Sequence, residues 1–249
     1  QTKQAFFMRT VRIYHPGVYN LHDLIELSEN SSKHIARVLR MHPGDIVTLF
    51  CGDNREYSAM ITSATKRHVT VRIESVRPVD RESPCVIHLA QGIAKGERMS
   101  FIIQKAVELG VASITPLMTQ HGAVRRDTKQ LAKKHAQWEA IAISACEQSG
   151  RNRIPHIHPP CLLEHYVKTC AAQTKCMLDP TAQGSWPKGI AKQGDIALLI
   201  GPEGGLDQHE IKAAKTASFH GIQLGPRILR TETATLTALS VLQALEGDL

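Results

Sequence analysis

The stretch Ala197-Leu198-Leu199-Ile200-Gly201-Pro202-Glu203-Gly204-Gly205-Leu206-Asp207 decides how the second half of the chain is read. Its opening apolar run has the length of a strand buried on both faces and stops abruptly at a Gly-Pro step. Gly204 and Gly205 follow, and glycine lets backbone turn sharply and approach a ligand closely. Asp207 then opens a helix, with Glu210 three residues on completing a capping-box pattern. In open α/β sheets, ligands sit beyond the carboxyl ends of such strands. The loop is neither Gly-x-Gly-x-x-Gly nor a phosphate loop ending in Lys-Ser/Thr, so a dinucleotide or ATP site has weak support. Standing alone, it would be read as a tight strand-to-helix turn.

A second loop repeats the pattern. In Gln223-Leu224-Gly225-Pro226-Arg227-Ile228-Leu229-Arg230-Thr231-Glu232-Thr233-Ala234-Thr235, a short strand expected over Ile222 to Leu224 again ends in Gly-Pro. An Arg-Thr-Glu-Thr run then leads into an apolar helix from about Ala234 to Leu245, with Thr231 and Thr233 expected as its caps. Leu236, Leu239, Val241, Leu242 and Leu245 leave that helix apolar on most sides, so it is buried in its own domain or against a second copy. Arg230 and Glu232 fall where the two loops should converge. That puts a charged pair at a ligand mouth rather than in an ordinary surface salt bridge.

Working outward, strands and helices alternate from Cys85 onward. Strands are expected over Val86–Gln91, Ala112–Leu117, Lys175–Leu178 and Ile196–Ile200. The helix Glu97–Leu109 has its apolar face at Met99, Ile102, Ile103, Ala106 and Val107. A longer helix, Thr128–Gln148, has one at Leu131, Trp138, Ala142 and Ala145. The alternation predicts an α/β domain with a mainly parallel sheet covered by helices. Before it, Asp45–Phe50, Tyr57–Thr62 and Val69–Val76 read as half-buried strands, with Gly52-Asp53-Asn54 as a turn. A helix over Ser31–Met41 carries the stripe Ile35, Val38 and Leu39 and exposes Lys33, Arg37 and Arg40. The organisation expected is therefore a small basic β-barrel over residues 8–78, a proline-bracketed linker Arg77–Pro84, and a second domain over 84–249. Met8-Arg9 reads as a natural beginning, with Gln1–Phe7 as an extension.

Composition bounds the function. Of 249 residues, 42% are hydrophobic and 21% charged, which supports packed cores and excludes disorder. No run of 18 apolar residues exists, so a membrane-spanning helix is excluded, and Gln1–Arg12 lacks the pattern of a signal peptide. The net charge of +7 is uneven: residues 1–78 hold 11 Lys+Arg against 7 Asp+Glu, and the remaining 171 hold 19 against 16. The denser basic excess in the first third suits a leading module that touches phosphates. Cys51, Cys85, Cys146, Cys161, Cys170 and Cys176 form neither a Cys-x-x-Cys pair nor a zinc-type cluster, and His156-x-His158 stands apart from other ligands. The reduced cytoplasm is the expected compartment, and no metal is expected.

Two segments, Ile200–Gly205 and Leu224–Ala234, resemble the signature motifs of the RsmE family, whose members methylate N3 of a uridine in the decoding region of bacterial 16S ribosomal RNA. His34–Arg40 is similar to the family's N-terminal motif, and Gln104–Gly110 and Glu147–Arg151 are similar to its central ones, so the resemblance runs from about Met8 to the end. It implies a SPOUT-type domain with its C-terminal strands threaded as a trefoil knot, which ordinary connectivity rules would exclude. It also implies an N-terminal PUA-like RNA-binding β-barrel, S-adenosyl-L-methionine bound near the interface of a homodimer, and 16S rRNA of the assembled small ribosomal subunit as partner.

The cofactor positions the resemblance implies are Leu178, Leu199, Ile200, Gly201, Pro202, Glu203, Gly204, Gly205, Leu224, Gly225, Leu229, Arg230, Thr231, Thr233 and Ala234. Uracil N3 is a poor nucleophile while protonated, so a base or an anion-stabilising cation must act before methyl transfer. Arg230 is expected to stabilise the uracil anion and Glu232 to act as the base, with orienting Arg230 or capping the helix as the blander role for Glu232. Arg12, Lys33, Arg37, Arg40, Lys95, Arg98 and Arg151 are the expected RNA contacts. Glu147 and Arg151 either line the site or pair with each other, and Lys105 with Glu108 reads as an i,i+3 pair. Ribose 2′-O-methylation on the same fold and an RNA-binding protein with a relic site are the rivals. The Arg-Thr-Glu-Thr run speaks against the first and the intact glycine loops against the second.

Overall fold

Period-two alternation aims Val47, Leu49, Tyr57, Ala59, Ile61, Val69, Val71 and Ile73 to one side of three adjacent strands, where they form the core of the first structural unit. The architecture comes from a computed structural model that describes residues 10–122, 128–186 and 194–249. Met8, Arg9 and the extension before them lie outside the described residues. The chain divides into two units, one of residues 1–81 with 146–154 and one of residues 82–145 with 155–249.

In the first unit, β1 (Arg12–Tyr14), β2 (Leu24–Glu26), β3 (Ile46–Phe50), β4 (Arg55–Ala64) and β5 (Val69–Pro78) form a mixed sheet in the order β1-β3-β4-β5-β2. The β1–β3 pair is parallel and the other pairs are antiparallel. The hydrogen-bonded path is open, with β1 and β2 at its ends among the described residues. β5 runs further than the linker reading allowed: Arg77 pairs with Glu56 and Pro78 with Arg55. Pro78 is tolerated because, among the described residues, β2 pairs only with Thr70–Arg72, so the far end of β5 has an unpaired side.

The helix expected over residues 31–41 is broken into α1 (Glu29–Lys33), capped by Ser28, and a π-helical turn, His34–Val38. The wider turn rotates the expected stripe apart. Ile35 is fully buried, whereas Val38 is 67% exposed and Leu39 lies at the surface.

The second unit is built on parallel strands. β6 (Ile87–Gly92), β7 (Ser113–Met118), β8 (His156–Ile157), β10 (Thr174–Leu178), β11 (Ile196–Ile200) and β12 (His220–Ile222) lie in the order β12-β10-β11-β6-β7-β8, and β9 (Cys161–Leu162) also pairs with β7. β11 lies between β10 and β6, and all five of its residues are buried, as its unbroken apolar run requires. α2 (Glu97–Glu108), α4 (Leu163–Thr169), α5 (Gln208–Thr216) and α6 (Thr231–Glu246) accompany the strands. α3 (Thr128–Ser149) buries Trp138, Ala142 and Ala145, while Leu131 stays partly exposed.

Two boundaries differ from expectation. β12 stops at Ile222, where it is paired with Leu178, so Leu224 and Gly225 belong to a longer loop rather than a strand end. α6 starts at Thr231 with Arg230 as a cap that makes no side-chain capping bond. Thr231 and Thr233 are therefore residues of the first turn and not caps. Among the described residues, no helix is long and apolar enough to cross a membrane.

Candidate functional site

The two glycine loops meet. Thr231 Oγ1 donates to the carbonyl of Gly201 at 2.7 Å, which joins the mouth of α6 to the end of β11. Beneath them Gln91, fully buried near the end of β6, donates through Nε2 to Thr231 Oγ1 at 3.0 Å and accepts from Thr235 Oγ1 at 2.7 Å. Gly92 beside it has no room for a side chain, because a Cβ there would stand 2.6 Å from the Pro202 backbone nitrogen. At Gly205 the backbone has φ +72°, the left-handed turn that glycine adopts without strain. α5 then begins with the expected capping box between Asp207 and Glu210. The buried Glu210 carboxylate also accepts from the Gln120 backbone at 2.8 Å, tying the loop after β7 to this helix.

A cavity of about 620 Å³ opens beyond the carboxyl ends of β10 and β11. Leu178, Ile200, Leu206, Ile211, Ile228 and Leu229 form its apolar walls, while Asp179, Glu203 and Glu232 supply carboxylates and Arg98 and Arg230 supply guanidiniums. Apolar walls with a few convergent polar groups are the ordinary construction of a small-molecule site.

Glu203 Oε1 accepts from the Lys95 backbone at 2.8 Å and from Arg98 Nη1 at 2.9 Å. Burial raises the Glu203 carboxyl, but these bonds outweigh it and hold the group below the usual carboxylate range. Asp179 is likewise lowered against its burial, by hydrogen bonds from Thr181 and the charge of Lys215. Glu232 Oε1 lies 3.9 Å from Arg98 Nε, whereas its Oε2 is buried without a hydrogen-bond partner among the described residues. The expected pairing of Glu232 with Arg230 is absent. Among the described residues Glu232 is paired with Arg98, and Arg230 is exposed on the cavity wall.

Of the expected cofactor positions, Leu178, Ile200, Gly201, Pro202, Glu203, Gly205, Leu229, Arg230, Thr231 and Ala234 border the cavity, and Glu232 joins them. Five do not. Leu199 is buried within β11, Gly204 packs against His121, Leu224 and Gly225 follow the early end of β12, and Thr233 faces a second hollow shared with Phe101 and Leu236. Sequence reasoning missed Asp179, Pro180, Thr181, Leu206, Gln208, Ile211 and Ile228. The signal for the first three was a third strand end, Leu178-Asp179-Pro180-Thr181, where an apolar run again meets turn residues.

The expected RNA contacts separate into two groups. Arg37, Arg40 and Lys95 are exposed, and Lys33 pairs with Glu29 at 2.6 Å on α1. Arg12, Arg98 and Arg151 depart from the expectation of exposed phosphate contacts. Arg12 is held internally by Glu56 at 2.6 Å and Asn152 at 2.7 Å, Arg151 is only 4% exposed, and Arg98 belongs to the cavity wall. Glu147 accepts from the Tyr14 backbone at 3.0 Å within the first unit, so neither it nor Arg151 borders the cavity, and burial raises its carboxyl. Lys105 and Glu108 form the expected pair at 2.8 Å.

Comparison with known proteins agrees with this architecture. Residues 81–243 match a family model described as an RNA methyltransferase domain, and residues 27–74 match an RNA methyltransferase PUA domain. Ribosomal RNA small subunit methyltransferase E of Buchnera aphidicola subsp. Schizaphis graminum is 38% identical, with 97% of this chain and 98% of the relative covered. The Bacillus subtilis protein of the same name is 32% identical over 86% of this chain and 89% of its own length. Among solved structures, Lpg2936 of Legionella pneumophila, in complex with the bound cofactor SAM, superposes with a TM-score of 0.93 at 49% identity and covers 97% of this chain and all of its own. Methyltransferase E from Neisseria gonorrhoeae, bound to S-adenosyl methionine, has a TM-score of 0.89 at 36% identity, with 96% and 99% covered. Similarity of this extent, in a fold whose two glycine loops close on one cavity, means that the chain belongs to the ribosomal RNA small subunit methyltransferase E family.

Proposed function

We propose that this chain transfers a methyl group from S-adenosyl-L-methionine to N3 of a uridine in the decoding region of 16S rRNA, acting on the assembled small ribosomal subunit. The observation that carries the reading is the convergence of both motif loops on one cavity, with Arg230 and Glu232 at its wall. The residues fit such a cofactor: apolar walls suit an adenine ring, and the nearby carboxylates suit ribose hydroxyls and an ammonium group. Once bound, the cofactor supplies a methyl already activated on a sulfonium sulfur. The protein's own task is to orient the uracil and remove its N3 proton. Glu232 accepts that proton, and the Arg230 guanidinium holds the negative charge that the ring spreads over N3 and its carbonyl oxygens.

In this reading residues 8–78 form the PUA-like RNA-addressing domain, where Lys33, Arg37 and Arg40 meet phosphates, joined by Lys95 from the second domain. Residues 84–249 form the methyltransferase domain, its C-terminal segment threaded as the trefoil knot. The half-exposed side of α6, with Leu236 and Leu245, packs against a second copy. The enzyme works in the cytoplasm and uses no metal.

The test is mass spectrometry of digested 16S rRNA from a strain lacking the gene, with and without added protein. Addition should restore N3-methyluridine, and no difference would overturn the reading. Glu232→Gln should lower turnover at saturating donor by roughly 100-fold, in the range of a lost general base. Near-normal turnover would remove Glu232 from that role.

A further inference from the structure

Arg98 lies among the basic residues that sequence reasoning gave to RNA, yet its guanidinium is occupied by two carboxylates of the cavity wall. Nη1 donates to Glu203 Oε1 at 2.9 Å, and Nε stands 3.9 Å from Glu232 Oε1. Glu203 is itself anchored, since the same oxygen accepts the Lys95 backbone N–H at 2.8 Å. The chain of contacts therefore runs from fixed backbone through Glu203 and Arg98 to one oxygen of Glu232. The other oxygen, Oε2, is buried and receives no hydrogen bond among the described residues. Glu232 also borders the cavity, so the ion pair with Arg98 sets the orientation of one of the carboxylates on its wall.

We propose that Arg98 is the positioning residue of this site: anchored by Glu203, it pairs with Glu232 Oε1 and thereby fixes the orientation of the carboxylate that takes the N3 proton of the substrate pyrimidine. The inference rests on the proposed uracil N3 methylation and adds the residue that orients its base. Arg98 touches neither substrate nor reacting atoms in this role. Arg98 and Glu232 together line both the main cavity and the second hollow.

The test is a double-mutant cycle in the full chain, using small ribosomal subunits from a strain lacking the gene. Single-turnover methyl transfer at saturating donor and the donor dissociation constant are measured for wild type, Arg98→Gln, Arg98→Lys, Glu232→Gln and the Arg98→Gln/Glu232→Gln pair. Arg98→Gln should slow transfer by at least about tenfold while donor affinity stays within about threefold, the signature of lost orientation rather than lost binding. Arg98→Lys, which keeps the charge, should regain most of the rate. The double variant should be no slower than Glu232→Gln alone, because a residue that acts through another adds nothing once that other is gone. Additive losses would overturn the proposal. So would a normal rate with weaker, less salt-dependent subunit binding, the mark of a phosphate contact, or a loss of donor affinity that accounts for the whole effect. Should the Gln variant not fold, the Lys variant decides, since loss of its rate would overturn the proposal and retention would support it. If wild type forms no N3-methyluridine, the functional reading falls together with this proposal; if wild type forms it and the cycle is additive, only the proposal falls.

Discussion

Gln91 uses its whole amide at the end of β6, donating to Thr231 and to the Gly92 carbonyl and accepting from Thr235. One buried side chain thus supports both motif loops, and the consequences can be measured residue by residue. Thr231→Val keeps the shape but removes the 2.7 Å bond to the Gly201 carbonyl and the acceptor at 3.0 Å from Gln91, leaving that carbonyl only the longer contact with Gln91 Nε2 at 3.4 Å. It should cost about 2 kcal/mol in urea denaturation and weaken donor binding in calorimetry. Gly92→Ala should cost about 1–3 kcal/mol, because the new Cβ meets backbone that cannot yield by a rotamer change; an unchanged denaturation midpoint would mean that the Pro202 loop is not held there. Arg230 and Glu232 could be picked from sequence because their loop announces itself through Gly-Pro and a run of polar residues. Asp179 carried only the weaker signal of a third strand end, and joining that end to the other two needs β10 to lie beside β11, which local spacing does not record. Arg12 misled for a related reason: its partner Glu56 looks like a surface charge on an alternating strand, yet it is buried.

Elements were legible where their own residues settle them. β11 coincides with the apolar run from Ile196 to Ile200, because a charged residue precedes it and a Gly-Pro step follows it. α5 starts where the Asp207–Glu210 box places it, so Asp207→Ala should cost about 1 kcal/mol and lower the melting temperature by about 2–4 °C in a thermal scan. The π-helical turn was hidden, since its residues carry an ordinary α-helical stripe, while the Leu39 N–H to His34 carbonyl bond at 3.0 Å shows the wider turn. π-turns of this kind recur at functional positions, and here one leaves Val38 beside the exposed Arg37 and Arg40. β12 was displaced by two residues because its limits follow its pairing with Cys176–Leu178 and not its own sequence.

At the scale of the molecule, charge does two different jobs. The basic excess of the first unit includes Arg12, Arg77 and Arg81, which all converge on Glu56. Burial opposes the ionised Glu56, but the three guanidiniums prevail and lower its carboxyl from 4.5 to about 2. A lowered folded-state value means that this contribution to stability is complete above about pH 4.5 and is lost as pH falls toward about 2. Glu56→Gln should therefore destabilise the protein by roughly 1–3 kcal/mol at pH 7, since it takes the carboxylate from the largely buried Arg12 while Arg77 and Arg81 stay solvated. It should also flatten the dependence of the urea midpoint on pH between those values, and an unaltered acid profile would show that the cluster is not the acid-sensitive element. Sheet order has a consequence of another kind. β6 is paired with β11, Ile87 beside Ile196, and the mouth of α6 closes on both. During synthesis the edge of β6 that faces β11 must wait, unpaired, while the intervening chain emerges, and contacts so distant in sequence form slowly. A nascent chain that has not yet released α6 has no assembled site, so any message cut short before Thr231 yields the first unit and most strands of the second without the loop that closes the cavity.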